Sequence, residues 1–346
     1  MTRTSVIRAG LLLGLCAADL PAQVRGLAPN AAQLLNQVLN PPEITYQGRI
    51  TVTHWYGRQT RAEEVMVYFA PSNRRRLEFL LHNGNVGRVV ISDGSREELR
   101  LPRRRKVLQG DAVKSSSKIM SREVERELLM KNYAASFLGE ELVAGRSCWV
   151  LELAPVESGK PRLKLSIDKE TGAVLENKKY HLNGNYAALS RFTRFEIKTA
   201  LPEDLFQLTS DSSGRVDAHG LDPDFLTLAD LNKAVGKRSN IPSDLPGGFV
   251  FESADFFKIQ KETVRQFRYT DGSIALSVFQ TDRPVHIGKE SSPDVPSQEA
   301  VPGSLRLSSS GKMLHWKSRG YYYTLIGDLS RELLERIASR LKRSAN

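Results

Sequence analysis

The six histidines, His54, His82, His181, His219, His286 and His315, are the first places to look for chemistry, and their spacing offers none. No His-Glu-x-x-His, His-x-His or other close pair with metal-ligand spacing occurs, so no metal is expected. There is no Gly-x-Ser-x-Gly elbow, no P-loop and no convincing dinucleotide fingerprint. Pro246-Gly-Gly248 follows no βαβ pattern and reads as a turn. Carboxylates are plentiful, but an acid/base pair is defined by geometry, which a sequence does not show. No catalytic residue and no cofactor is therefore expected, and the chain reads as a non-enzyme. Two cysteines rule out a disulfide scaffold or a Cys-rich zinc module. Cys148, beside Trp149 in a strand pattern, reads as a buried, inert thiol.

Positive charge in clusters is what stands out. The chain has 346 residues, with 50 Lys+Arg against 39 Asp+Glu and a formal net charge of +11. Arg74-Arg75-Arg76 opens one strand, and Arg103-Arg104-Arg105-Lys106 opens another after Pro102. These clusters are either solvated strand ends and edge gatekeepers or grips for anions, to which arginine is suited by its bidentate geometry. The amino terminus bears on which anion. Arg3 and Arg8 precede the apolar run Ala9–Ala18, and small residues follow at Ala17, Ala18 and Ala22. That is the anatomy of a signal peptide over residues 1–22, with cleavage after Ala18 or Ala22. A lipoprotein anchor at Cys16 fits less well, because Leu15 is large where a small residue is wanted. Export argues against nucleic acid as the partner, and no aromatic-rich nucleic-acid motif occurs. Lipid phosphates and acidic protein segments are the anions expected outside the cytoplasm.

The elements that must position these residues are mostly strands. Leu34, Leu35, Val38 and Leu39 share one face of a short helix that Pro41 and Pro42 end. Period-two alternation follows in Ile44–Val52, in Val65, Val67 and Phe69, and in Leu77, Phe79 and Leu81. Ser92-Asp-Gly94, Asp168-Lys-Glu-Thr-Gly172 and Tyr269-Thr-Asp-Gly272 read as hairpin turns. A helix is expected over 121–137, capped by Ser121. Further strands are expected at Ser147–Leu153, Leu163–Ile167, Val174–Tyr180 and Ala187–Ile197. The fold class is α+β and mainly antiparallel β. It comprises a curved sheet or half-open barrel with helices over residues 23–208, a linker at 209–240, and a smaller α+β domain over 241–346 ending in a helix near Ser330–Leu341. Tyr46, Ile50, Val52, Val67, Phe69, Leu77 and Phe79, with Ile44 and Leu81, point inward on the curved sheet. They form an ordinary core against the helices or, if these leave a void, the lining of an apolar cavity for acyl chains.

Several stretches carry a resemblance. Tyr46-Gln-Gly48, Arg74-Arg-Arg76, Ser92-Asp-Gly94, Ile167–Val174 and Phe192-Thr-Arg-Phe195 come first, followed by Leu245-Pro-Gly-Gly-Phe249, Tyr269–Phe279 and Ile326-Gly-Asp-Leu329. In this order the chain resembles the RseB/MucB family of periplasmic sigma-E regulators, whose first domain is similar to the LolA and LppX lipoprotein carriers. The resemblance implies a periplasmic protein that binds the periplasmic segment of an anti-sigma factor and shields it from proteolysis. It also implies release by lipopolysaccharide or mislocalised lipoprotein, bound through the apolar cavity. A lipid or lipoprotein carrier of the LolA/LppX type is the alternative. A third class, an exported hydrolase, would need histidine and carboxylate clustered in space.

Overall fold

The computed structural model describes residues 30–40, 43–56, 59–102, 105–112, 120–210, 216–235, 241–259, 261–285, 305–308 and 311–344. The expected signal peptide, including Cys16, lies outside them, as do Arg103 and Arg104.

The first sheet contains β1 (Tyr46–Tyr56), β2 (Gln59–Ala70), β3 (Arg74–Leu80), β4 (Val86–Asp93), β5 (Arg96–Leu101), β6 (Lys106–Asp111), β7 (Tyr133–Val143), β8 (Arg146–Pro155), β9 (Arg162–Asp168), β10 (Val174–Tyr180), β11 (Tyr186–Ile197) and β12 (Val216–Asp217). Their order is β12-β6-β5-β4-β3-β2-β1-β11-β10-β9-β8-β7. Every neighbour pair is antiparallel except β12 with β6. The sheet curls. β7 is separated from β11 by three strands, yet Arg191 on β11 donates to the Leu142 carbonyl on β7 across 3.0 Å. Twist and register shifts in β1, β7, β10 and β11 supply the bend.

The second sheet contains β13 (Asp244–Leu245), β14 (Phe249–Ile259), β15 (Glu262–Thr270), β16 (Ala275–Thr281), β17 (Leu305–Ser308), β18 (Gly311–Ser318) and β19 (Tyr321–Gly327), in the order β13-β14-β15-β16-β19-β18-β17. Among the described residues the α-helices are α1 (Ala31–Leu39), α2 (Arg122–Asn132), α3 (Leu228–Val235) and α4 (Arg331–Ser344). α1 begins with a reciprocal capping box between Asn30 and Gln33.

One expectation is corrected. The helix read over 121–137 stops at Asn132, and Tyr133 opens an eleven-residue strand. Ser121 does cap it, accepting from the Val124 N–H at 3.4 Å. Pairing of β7 with β8 gives Tyr133–Val143 a full ladder, and Phe137 meets Trp149 edge-on at 5.6 Å. Such tertiary gains exceed the few tenths of a kcal/mol per residue that helix propensity offers.

Residues 199–210 and 216–222 lie over the first sheet as a strap. Arg76 and Arg100 donate to the Leu205 and Gln207 carbonyls, at 3.4 and 2.9 Å. Glu98, fully buried, accepts from the Thr209 N–H at 2.7 Å and from its hydroxyl at 3.0 Å. The strap ends in β12, paired with β6, and Asp222 accepts from the Asp111 N–H at 2.7 Å.

Three apolar clusters result. The inward residues of β1, β2 and β3 form one, with Phe192, Phe195, Leu175, Cys148 and Val143. Gly48 is what allows Phe192 to lie across β1, since a Cβ there would stand 2.7 Å from its ring and 2.5 Å from the Arg194 carbonyl. A small cluster lies on the second sheet around Val264 and Phe279. The third spans both sheets. It joins α1 and β7, β8 and β9 to β14, β15, β16, β18, β19 and α4.

Candidate functional site: the seam between the two sheets

The seam is built on a charge pair that sees no solvent. Lys160, in the loop between β8 and β9, places its Nζ 3.0 Å from Asp271 Oδ2, and both side chains are fully buried. Burying two charges costs several kcal/mol each unless every donor and acceptor is met. Here they are met. Lys160 also donates to the Gly247 carbonyl at 3.0 Å, and its ammonium lies 4.8 Å from the centre of the Tyr133 ring. The Tyr133 hydroxyl donates to Asp271 Oδ2 at 2.8 Å. Asp271 Oδ1 accepts from the Ser273 and Ile274 N–H groups, at 3.0 and 2.8 Å. Burial, then the neighbouring Asp271 charge, pushes the Tyr133 phenol far above its ordinary value, so it stays a donor.

Asn132, the last residue of α2, closes the arrangement. Its amide donates to the Asp271 carbonyl at 2.9 Å and to the Gly248 carbonyl at 3.2 Å. Gly248 is held at a φ of +75°, and a Cβ there would fall 1.9 Å from Asn132 Oδ1, so only glycine fits. Outer contacts flank this centre. Ser330 N–H donates to the Gly159 carbonyl at 2.8 Å. Lys179 pairs with Asp328 at 3.2 Å, and Arg336 with Glu157 at 2.6 Å. Three of the stretches that carry the family resemblance thus supply the second sheet's side: Gly247 and Gly248, Asp271, and Asp328.

The residues singled out in the sequence fall elsewhere, in three places. Arg74 pairs with Glu203 and lies 5.4 Å from the Phe206 ring, while Arg75 pairs with the buried Glu97. Arg76 pairs with Glu78 at 2.7 Å. An anion at this cluster would have to displace a carboxylate from each guanidinium. Arg105 is exposed, at a φ of +47°, in the connection between β5 and β6. β3 starts at one end of the sheet and that connection lies at the other, about 20 Å away for a six-residue strand. The two arginine clusters therefore do not form one site.

Tyr46, Ile50, Val52, Val67, Phe69 and Leu77 are buried, and Phe79 packs against them half-buried. Tyr46 stacks on Phe69 at 5.2 Å and lies 4.9 Å from Phe195. This face is lined by interlocking aromatics, with α1 placed in the other cluster. Cys148 is buried beside it, and burial pushes its thiol up to about 12. Among the described residues no group of three or more His, Cys, Asp or Glu is placed to hold a metal ion. No helix among them is long and apolar enough to cross a membrane.

The latch residues Asn132, Tyr133 and Lys160 were not visible as a site in the sequence. Asp271 was visible, but only as part of a hairpin turn.

A curled twelve-stranded sheet, antiparallel but for β12, clamped through a buried ionic seam to a seven-stranded one, defines a two-sheet, mainly β architecture. The chain belongs to the MucB/RseB family, whose N-terminal-domain model matches residues 31–209. It is 25% identical over 267 residues to the sigma factor AlgU regulatory protein MucB of Pseudomonas aeruginosa strain PAO1, covering 75% of this chain and 77% of that one. It is also 22% identical over 218 residues to the uncharacterized protein MJ0687 of Methanocaldococcus jannaschii, where the match spans 62% of this chain and 63% of that relative, under two thirds of its length. Among solved structures, that of MucB in complex with MucA(peri) is similar at a TM-score of 0.54 and 18% identity, covering 89% of this chain and 97% of that one. The crystal structure of MucB alone has a TM-score of 0.54 at 17% identity, covering 89% and 96%. These structural likenesses establish a shared fold that includes both sheets.

Proposed function

We propose that this protein is a periplasmic regulator that binds the periplasmic segment of an anti-sigma factor and acts without catalysis. The observation that carries the reading is the extent of the likeness. It covers 97% of a MucB chain whose structure was solved with MucA(peri), and so takes in both sheets and their joint. A regulator that presents one continuous surface to a peptide needs its two units held in a fixed relation, and the Lys160–Asp271 latch does that here.

The test is binding between the purified chain and the periplasmic segment of an anti-sigma factor from the same organism, by calorimetry. Saturable one-to-one binding that protects the segment from a site-1-type protease supports the reading. A segment cleaved at the same rate with and without this protein overturns it.

Lipid or lipopolysaccharide as the releasing signal belongs to the same proposal. Its support is the inward apolar face of β1, β2 and β3. Linkage requires that lipid and partner favour different states of the protein or compete for one surface.

A further inference from the structure

We propose that β7 is a docking edge, on which an extended, uncharged stretch of the anti-sigma segment adds a further strand to the first sheet; this rests on the reading of the protein as a regulator. The edge of a sheet leaves a row of backbone N–H and C=O groups without partners, and folds keep edges short or guard them with lysine or proline. Three edges here are short: β12 and β13 have two residues each and β17 has four. β7 has eleven, and Tyr133–Val143 contains no lysine, arginine or proline. It stands last in the order of the first sheet, and among the described residues it pairs with β8 alone.

The ladder with β8 fixes which groups face outward. Val156 N–H donates to the Asn132 carbonyl at 2.9 Å, while Tyr133, opposite Pro155, gives its N–H to the Leu129 carbonyl of α2. Residues of an antiparallel pair alternate in direction. Ala134 and Ser136 therefore bond to β8, and Ala135 and Phe137 turn their N–H and C=O groups away from it. At the far end the outward carbonyl of Leu142 is taken by Arg191. Between them a bulge at Leu138 shifts the register and bends the strand, which confines regular pairing to the residues before it.

Side chains along the edge describe the occupant. Every second residue of β7 from Ala134 to Leu142 is exposed. Leu138 is 47% exposed, Met130 on the last turn of α2 is 62% exposed, and Val156 just beyond β8 is 69% exposed. Open backbone flanked by apolar side chains suits an added strand, which gains affinity from the ladder and selectivity from alternate side chains. Charge narrows the choice. In a chain of net charge +11 this edge is close to neutral: α2 sets Glu123, Glu125 and Glu127 against Arg122, Arg126 and Lys131. Glu140 and Glu141 of β7 are paired with Lys169 and Lys178. No cation is left over for an acidic peptide, so an apolar, uncharged strand is the match.

The test is hydrogen exchange of the full chain, alone and with the periplasmic segment of an anti-sigma factor from the same organism, beside calorimetry of the same pair. The Ala135 and Phe137 amides should exchange fast in the lone chain and be protected by the segment. Ala135→Pro removes an outward donor and no bond to β8, and should weaken the segment roughly tenfold, the worth of one backbone hydrogen bond. Leu138→Lys puts a guard at an exposed position and should weaken it likewise at an unchanged melting temperature. Protection of these amides already in the lone chain overturns the proposal; it would assign the edge to another part of the chain or, where it grows with protein concentration, to a second copy. A segment that binds without protecting β7 and ignores both variants also overturns it, and leaves the regulator reading standing. A segment that does not bind at all overturns both.

Discussion

Asp271 divides its work between two oxygens, and the division separates what is local from what is not. Oδ1 caps its own turn through the N–H groups of Ser273 and Ile274. Oδ2 takes Lys160 and Tyr133, which lie 111 and 138 residues away in the chain. Replacing Asp271 by Asn keeps the shape but leaves the Lys160 charge buried without its counterion. Breaking a buried pair from one side costs about 3–5 kcal/mol, and urea denaturation should show that loss. The double variant Lys160→Met, Asp271→Asn removes both charges, keeps an oxygen for the Ser273 and Ile274 N–H groups, and should recover most of it. A wild-type midpoint for Asp271→Asn would show that the pair contributes no stability. The turn role was legible in the sequence, because a Thr-Asp-Gly-Ser turn declares itself over four residues. The ionic role was not, because nothing in Ser-Gly-Lys-Pro marks Lys160 as the buried partner. The arginines misled for a related reason: a run of like charges is plain in a sequence, whereas Glu78, Glu97 and Glu203, which neutralise Arg76, Arg75 and Arg74, are scattered.

The strap over β3 to β6 depends on a titratable clasp. Burial raises the Glu98 carboxyl, but hydrogen bonds from Gln109, Arg100 and the Thr209 N–H outweigh it and hold the group below its ordinary 4.5. A carboxyl depressed in the folded state stabilises above its unfolded value, and that contribution is lost as pH falls through the folded one. Hydrogen exchange of the Thr209 amide should therefore be slow near neutrality, quicken relative to core amides as pH drops below about 4.5, and be fast at all pH in Glu98→Ala. An acid-insensitive Thr209 amide would count against the clasp. Period-two alternation made most strands legible, since one face of each is buried. β7 was missed because Glu, Leu and Lys upstream extend a helical pattern into Tyr133–Phe137, and only the β8 ladder decides otherwise.

The largest apolar cluster belongs to both sheets, with Leu34, Leu151 and Leu165 on one side and Phe249, Leu325 and Leu334 on the other. Neither side can be dried without the other, so the chain should unfold as one unit. Single-tryptophan variants retaining only Trp149, on β8, or only Trp316, on β18, should report the same denaturation midpoint. Two separated midpoints would mean that the sheets melt independently. Loosening the seam with Asp271→Asn is the change expected to part them.

The seam also constrains how such a protein changes over generations. Exchanging the carboxy-terminal half for a foreign module would bare leucines on α1, strand an ammonium in oil and remove the carbonyls that Asn132 reaches. The two halves should therefore tolerate exchange only as a pair, and variation in what the molecule recognises is expected at surfaces away from their junction.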